Sequence, residues 1–156
     1  MKPYLLILSL ILTGACQSGP QSRTSAAPGQ GAVAIQVAPN PIAAQRVSGE
    51  TYDFPFEVIL RETGGRPITV SRVTATVYGP GGLQVSRETW DADKIRSMGY
   101  SVDVGARGEV RYRFTPRQKV PDDRLFGSVS AELRVDATDD SGAPTNAQTV
   151  VTVVRG

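Results

Sequence analysis

Apolar and polar positions alternate with period two along much of the chain, and that alternation predicts strands. The clearest run is 52–61. Tyr52, Phe54, Phe56, Val58 and Leu60 fall on one face, and Asp53, Pro55, Glu57, Ile59 and Arg61 on the other. One face is therefore buried and the other largely wet. Pro55 cannot donate to a ladder, which predicts an edge or a bulge at that point. Residues 32–37 read as a shorter strand ended by Pro39-Asn40-Pro41. In 68–78, Ile68 and Val70 share one parity while Val73, Ala75 and Val77 share the other. The switch near Ser71-Arg72 is what one extra residue, a β-bulge, produces. Further strands fall at 83–87, at Val102 and Val104, at Val110, Tyr112 and Phe114, at Val129 to Ala137 in strict alternation, and at 149–154. Gly64-Gly65-Arg66-Pro67, Gly79-Pro80-Gly81-Gly82, Gly105-Ala106-Arg107-Gly108 and the polar stretch 139–146 supply the turns, and 117–127 reads as a polar loop.

The period breaks once, at 90–99. Asp91 suits a helix N-cap and Gly99 the residue after a helix end. Trp90 before the cap and Ile95 inside the helix are spaced for a hydrophobic staple. A two-turn helix covering one end of the fold is the expectation. About seven or eight strands with frequent turns predict an all-β fold, an antiparallel β-sandwich with one short helix.

Composition narrows the function classes. The chain has 156 residues, 40% of them hydrophobic and 21% charged, enough for one core. Its 17 basic and 15 acidic residues leave a net charge of +2, which gives no argument for nucleic acid as a partner. There is no histidine, so the commonest general base and metal ligand is missing. A single cysteine, Cys16, rules out an internal disulfide.

The N-terminus reads as a targeting signal. Lys2 supplies a positive charge, 5–12 is a run of Leu and Ile broken only by Ser9, and Thr13, Gly14 and Ala15 are small. The run is shorter than the roughly 20 residues a membrane-spanning helix needs. Leu12-Thr13-Gly14-Ala15-Cys16 resembles a bacterial lipobox. Thr13 stands where that family favours Leu, with Leu12 one place earlier. The resemblance implies cleavage before Cys16, a diacylglycerol on its sulfur and acylation of its amine. Two or more acyl chains anchor a protein stably, where one holds only marginally. The residue after the cysteine is Gln17 rather than the Asp that resembles an inner-membrane retention signal, so the outer membrane is the expected location. Residues 1–15 are thus read as a lipoprotein signal peptide, 16–31 as the lipidated cysteine and a disordered tether, and 32–156 as the sandwich domain. Such a tether spans about 20 Å root-mean-square.

The last two strands with DATDDSG between them resemble the closing hairpin of immunoglobulin-like and fibronectin type III-like domains. YDFPFEVILRETGGRPITV is similar to the early strands of Ig-like modules in secreted bacterial lipoproteins. There is no disulfide between sheets and no Trp in 68–78, so the resemblance implies architecture and no activity.

Without histidine no Ser-His-Asp or Cys-His arrangement can form. Lys94 and Ser97 share a helix face but look exposed, and 79–82 lacks the Lys-Ser/Thr of a phosphate loop. The domain is therefore expected to be non-catalytic and to use no cofactor. Asp136, Asp139 and Asp140, with Asp122-Asp123 nearby, are candidate hard-oxygen ligands for Ca²⁺, which gives an alternative reading as a carboxylate-based Ca²⁺-dependent binding or enzymatic domain. Their spacing fails the EF-hand pattern, since Ser141 stands where Gly is required and Ala147 where Glu is. Asp side chains also shape turns. Arg111, Arg113, Arg117 and Lys119 form a basic stretch and a candidate interaction face for anionic headgroups or an acidic partner. The expected function is a structural or interaction module held to the membrane through Cys16, whose partner is an envelope protein or glycan.

Overall fold

The computed structural model describes residues 23–156; the stretch read as a signal peptide, Cys16 and the first part of the stretch read as a tether lie outside the described residues. The strands, in chain order, are β1 (Arg23–Ser25), β2 (Val33–Ala38), β3 (Ile42–Ser48), β4 (Thr51–Asp53), β5 (Phe56–Glu62), β6 (Ile68–Tyr78), β7 (Gln84–Asp91), β8 (Asp103–Val104), β9 (Glu109–Phe114), β10 (Arg117–Lys119), β11 (Ser130–Asp139) and β12 (Pro144–Arg155). One helix, α1 (Ala92–Ser97), follows β7. Two sheets face each other. The larger runs β10-β4-β3-β12-β11-β6-β7, with β1 added along β12 and β8 along β6; the smaller is β2-β5-β9. Their inward side chains meet in one core. Pairing is antiparallel except where β3 lies parallel to β12.

The strong alternation at 52–61 belongs to two strands. Tyr52, Phe56, Val58 and Leu60 are all buried, as their parity requires. The chain, however, leaves the large sheet after β4 and enters the small one at β5, with Phe54-Pro55 as the crossing. Pro55 marks this change of sheet, because a residue with no N–H ends one ladder without leaving a donor unpaired. In β6 the register against β11 slips beside Ser71, where the parity switch had indicated a bulge. Asp91 caps α1 by accepting from the Lys94 amide at 2.8 Å, Gly99 has φ +87°, and Trp90 and Ile95 are both buried.

Three segments differ from expectation. β3 was not anticipated, because only Ile42 and Ala44 of its seven residues are buried. Residues 117–127, read as loop, contain β10 paired with β4 and a 3₁₀ turn over Asp123–Ser128 that buries Phe126. The stretch read as the end of the tether is held to the domain. β1 pairs with β12, and the Gly31 amide donates to Asp139 at 3.0 Å. Backbone pairing at β1 needs no apolar pattern, so composition is blind to it.

Glu62 continues the inward parity of β5 and is only 1% exposed. It accepts from the amides of Ala32, Gly64, Gly65 and Arg107 at 2.6–3.1 Å. Burial pushes its carboxyl up, but the amides of Arg107, Ala32, Gly65 and Gly64 outweigh burial and hold it below its ordinary range. A Cβ on Gly64 would lie 2.2 Å from the Gln30 carbonyl, so only glycine lets this loop close over the carboxylate.

Candidate functional site

The small sheet has three strands and the large one nine, so part of the large sheet's inner face extends beyond its partner. A strap made of β10 and the following 3₁₀ turn crosses that part. Arg117 grips Asp53 through two bonds, at 2.7 and 2.9 Å, and the Val120 amide donates to the Glu50 carbonyl at 2.7 Å. The Tyr52 hydroxyl donates to Asp123, which also pairs with Arg155 at 2.8 Å. The Tyr52 bond and the neighbouring Arg155 and Arg46 guanidinium groups hold the Asp123 carboxyl below its ordinary range, and the same bond raises the Tyr52 hydroxyl. Phe126 is driven inward, its ring centre 5.0 Å from that of Tyr52.

Between strap and sheet lies a groove of about 390 Å³. Its floor is Ala75, Val77, Ala131, Leu133 and Val153, and its roof is Phe54, Phe56, Pro116 and the strap residues Val120, Leu125 and Phe126. The polar residues among the lining, Ser86, Glu88, Gln118 and Lys119, come from β7 and β10. Val85 lines the same groove yet is 58% exposed, and Leu83 close by in sequence is 70% exposed. A volume of this size lies at the lower end of small-ligand sites, and an apolar lining with a few polar groups is their usual composition.

The basic stretch keeps one parity: Arg111 and Arg113 on β9 and Arg117 and Lys119 on β10 are all exposed, and the Phe54 amide, donating to the Pro116 carbonyl at 3.0 Å, joins the β5–β9 ladder to the β4–β10 ladder. Most of its charge is already paired. Arg111 bonds Glu109 at 2.8 Å and Glu57 at 3.2 Å, Arg113 bonds Glu57 at 3.1 Å, and Arg117 is held by Asp53. Hydrogen bonds from Arg61 and Arg111 hold the Glu109 carboxyl below its ordinary range. Among the described residues, Lys119 alone of the four has no ion pair. Reversing both charges, R111E with R113E, sets new carboxylates against Glu57 and Glu109. The expected result is a fall of a few degrees in melting temperature that shrinks as salt is added, since exposed pairs contribute little and are screened.

The Asp residues are engaged with the chain's own donors. Asp139 accepts from the Gly31, Ser141 and Ala143 amides and from the Ser141 hydroxyl at 2.6–3.0 Å. The Ser141 hydroxyl and these amides push its carboxyl far below its ordinary range despite burial. Asp140 pairs with Arg66 at 2.7 Å and Asp136 with Arg134 at 2.9 Å, while Asp122 caps the 3₁₀ turn through the Arg124 amide at 2.9 Å. Among the described residues no three acidic, Cys or His side chains are grouped to hold a cation. These carboxylates shape turns and join strands, and nothing in their arrangement supports the Ca²⁺ alternative for Asp136, Asp139 and Asp140. The Ser97 hydroxyl donates to the Lys94 carbonyl at 2.7 Å, and the Lys94 ammonium lies 3.6 Å from Glu88 and 5.6 Å from the Trp90 ring centre.

Fold and groove together define the class: an all-β, largely antiparallel β-sandwich that resembles Ig-like and fibronectin type III-like domains and carries an apolar slot. No protein-family model matches the chain, and no curated protein matches it significantly. Solved structures do resemble it. The X-ray structure of a Northeast Structural Genomics Consortium target superposes with TM-score 0.54 at 10% identity, covering 82% of this chain and 90% of that one. The putative ApaA protein from Bordetella pertussis gives 0.44 at 13% identity, covering 88% and 97%. The C-terminal domain of wzt gives 0.44 at 11% identity, covering 88% and 81%. At 10% identity the likeness to the first of these is one of fold alone.

Proposed function

We propose that this chain is a bacterial cell-envelope lipoprotein, anchored through Cys16 in the outer membrane, whose β-sandwich is a non-catalytic interaction module with the groove as its recognition site. The anchor rests on the lipobox resemblance of Leu12-Thr13-Gly14-Ala15-Cys16. The observation that carries the site is the apolar slot with Val85 open at it, because exposed apolar side chains beside a concave apolar surface mark binding sites. A paired Arg111 and Arg113 favour the groove over β9, and an apolar lining favours an apolar partner over a glycan.

Two measurements test the proposal in the parent bacterium. Cys16→Ser is expected to lose the mass of the acyl chains and to move from the outer-membrane to a different fraction; an unchanged mass and location would overturn the anchor. A photo-crosslinking residue at Val85 is expected to give a discrete adduct where the same residue at Arg111 gives none. Adducts at Arg111 and none at Val85 would return the recognition site to β9.

A further inference from the structure

A sheet edge borders the groove and narrows its partner. The large sheet ends at β7 on one side and at β10 on the other, and the small sheet ends at β2 and β9. β10 is only three residues long. The Arg113 amide of β9 donates to the Tyr100 hydroxyl at 3.2 Å, and the Val33 carbonyl of β2 accepts from the Thr24 hydroxyl at 3.0 Å. β7 has eight residues and no proline, and among the described residues no strand pairs with its far side. Such an edge presents a row of unmet N–H and C=O groups, a template for another extended chain.

The register fixes where an added strand puts its side chains. β7 pairs with β6 without interruption from Ser86 opposite Val77 to Asp91 opposite Arg72. Ser86, Glu88 and their partners Val77 and Ala75 all line the groove. Arg87 and Thr89, with partners Thr76 and Thr74, lie on the opposite face of the sheet. A strand laid along β7 therefore turns every second side chain toward the groove's apolar lining and the others out beside Arg87. Arg87 is exposed and has no ion pair among the described residues, so an acidic side chain across from it is favoured. Glu88 faces the groove, already meets Lys94 at 3.6 Å, and disfavours an acid on the inward parity. A lone alkyl chain would leave the β7 backbone unmet, whereas an extended peptide satisfies it and fills the slot. Accepting the groove as the recognition site, we infer that it takes an extended peptide by strand addition to β7, with apolar residues at the alternate positions facing the groove and an acidic residue beside Arg87.

The probe is the blocked peptide acetyl-Thr-Val-Asp-Val-Thr-Val-Thr-amide, titrated into the full chain and followed by calorimetry and by amide hydrogen exchange. Saturable binding is expected, with slowed exchange at alternate amides of 86–91. Two further peptides, N-methylated at the valines or at the residues between them, keep every side chain and lose the N–H groups of one edge each. One of the two is expected to lose binding and the other to keep it. Arg87→Glu, at an exposed position, is expected to weaken the parent peptide about fivefold and to strengthen, by a similar factor, the peptide with Lys in place of Asp. Absence of saturable binding overturns the inference, as does binding that leaves exchange in β7 unchanged or that tolerates both N-methylated peptides equally. Equal affinity of the Asp and Lys peptides for the parent overturns the acidic position. A dimer of the chain alone in sedimentation that the peptide does not dissociate would assign the edge to a second copy and overturn the inference. Failure of the peptide with the Val85 crosslink intact overturns this ligand and leaves the groove as recognition site. Loss of both overturns both.

Discussion

Glu62→Gln is expected to destabilise the domain by about 3 kcal/mol, a fall of about 10 °C in melting temperature. Glu62 sits 1% exposed at the inward end of β5 and gathers amides from three separate segments: Ala32 before β2, Gly64 and Gly65 after β5, and Arg107 before β9. A carboxylate can accept from all of them. A carboxamide has one accepting oxygen, and its NH₂ must face donors, so buried amides are left without partners. The sign with pH follows from the lowered carboxyl. A group more acidic folded than unfolded contributes fully above its unfolded value of about 4.3, and that contribution is lost as pH falls toward its folded value. The parent should therefore weaken on acidification below about pH 4.5, and Glu62→Gln should show a shallower decline over the same range, measured by urea unfolding at stepped pH. Equal slopes for both proteins would remove Glu62 as a source of acid sensitivity.

Trp90→Ala is expected to cost about 3–5 kcal/mol, the usual range for deleting a buried large aromatic side chain. Trp90 is 3% exposed, stacks on Phe114 with ring centres 4.1 Å apart and meets Phe56 edge-on. It joins β7 of the large sheet to β5 and β9 of the small one, and Lys94 of α1 lies over its ring. Removing it leaves a void beside the groove that neither sheet can collapse into without moving the other. Trp90→Phe keeps most of the contact and should lose much less. Denaturant unfolding of the two variants separates the roles: similar losses would mean that the ring's size matters little and that the site relaxes freely.

Those two residues show what was legible in the sequence. Trp90 was readable as the apolar residue before a capped helix, and it is buried against Phe114 and Phe56. The alternations of Phe56 to Leu60 and Ala131 to Ala137 marked core strands correctly, because a two-sided strand records its environment in every second side chain. Glu62 also left a signal, an acid on the apolar parity followed by two glycines, yet a charged residue at a strand's end reads more naturally as exposed. β3 and β10 left almost none. Their place depends on backbone pairing with β12 and β4, which any residue type can provide.

The groove itself was not legible. Its walls come from Ile42, Phe54, Ala75, Val85, Pro116, Phe126, Ala131 and Val153, which are far apart in the chain and in sequence look like ordinary core positions. What makes them a site is that the small sheet covers only part of the large one. The basic stretch, by contrast, was conspicuous in sequence because its partners Glu57 and Asp53 lie more than fifty residues away, and only the fold brings them together.

The claim that recognition belongs to the groove is tested most directly by the pair of photo-crosslinking residues at Val85 and Arg111 in the full chain. The expected result is a discrete adduct at Val85, where the apolar slot opens, and none at Arg111. An adduct at Arg111 with none at Val85 would contradict it.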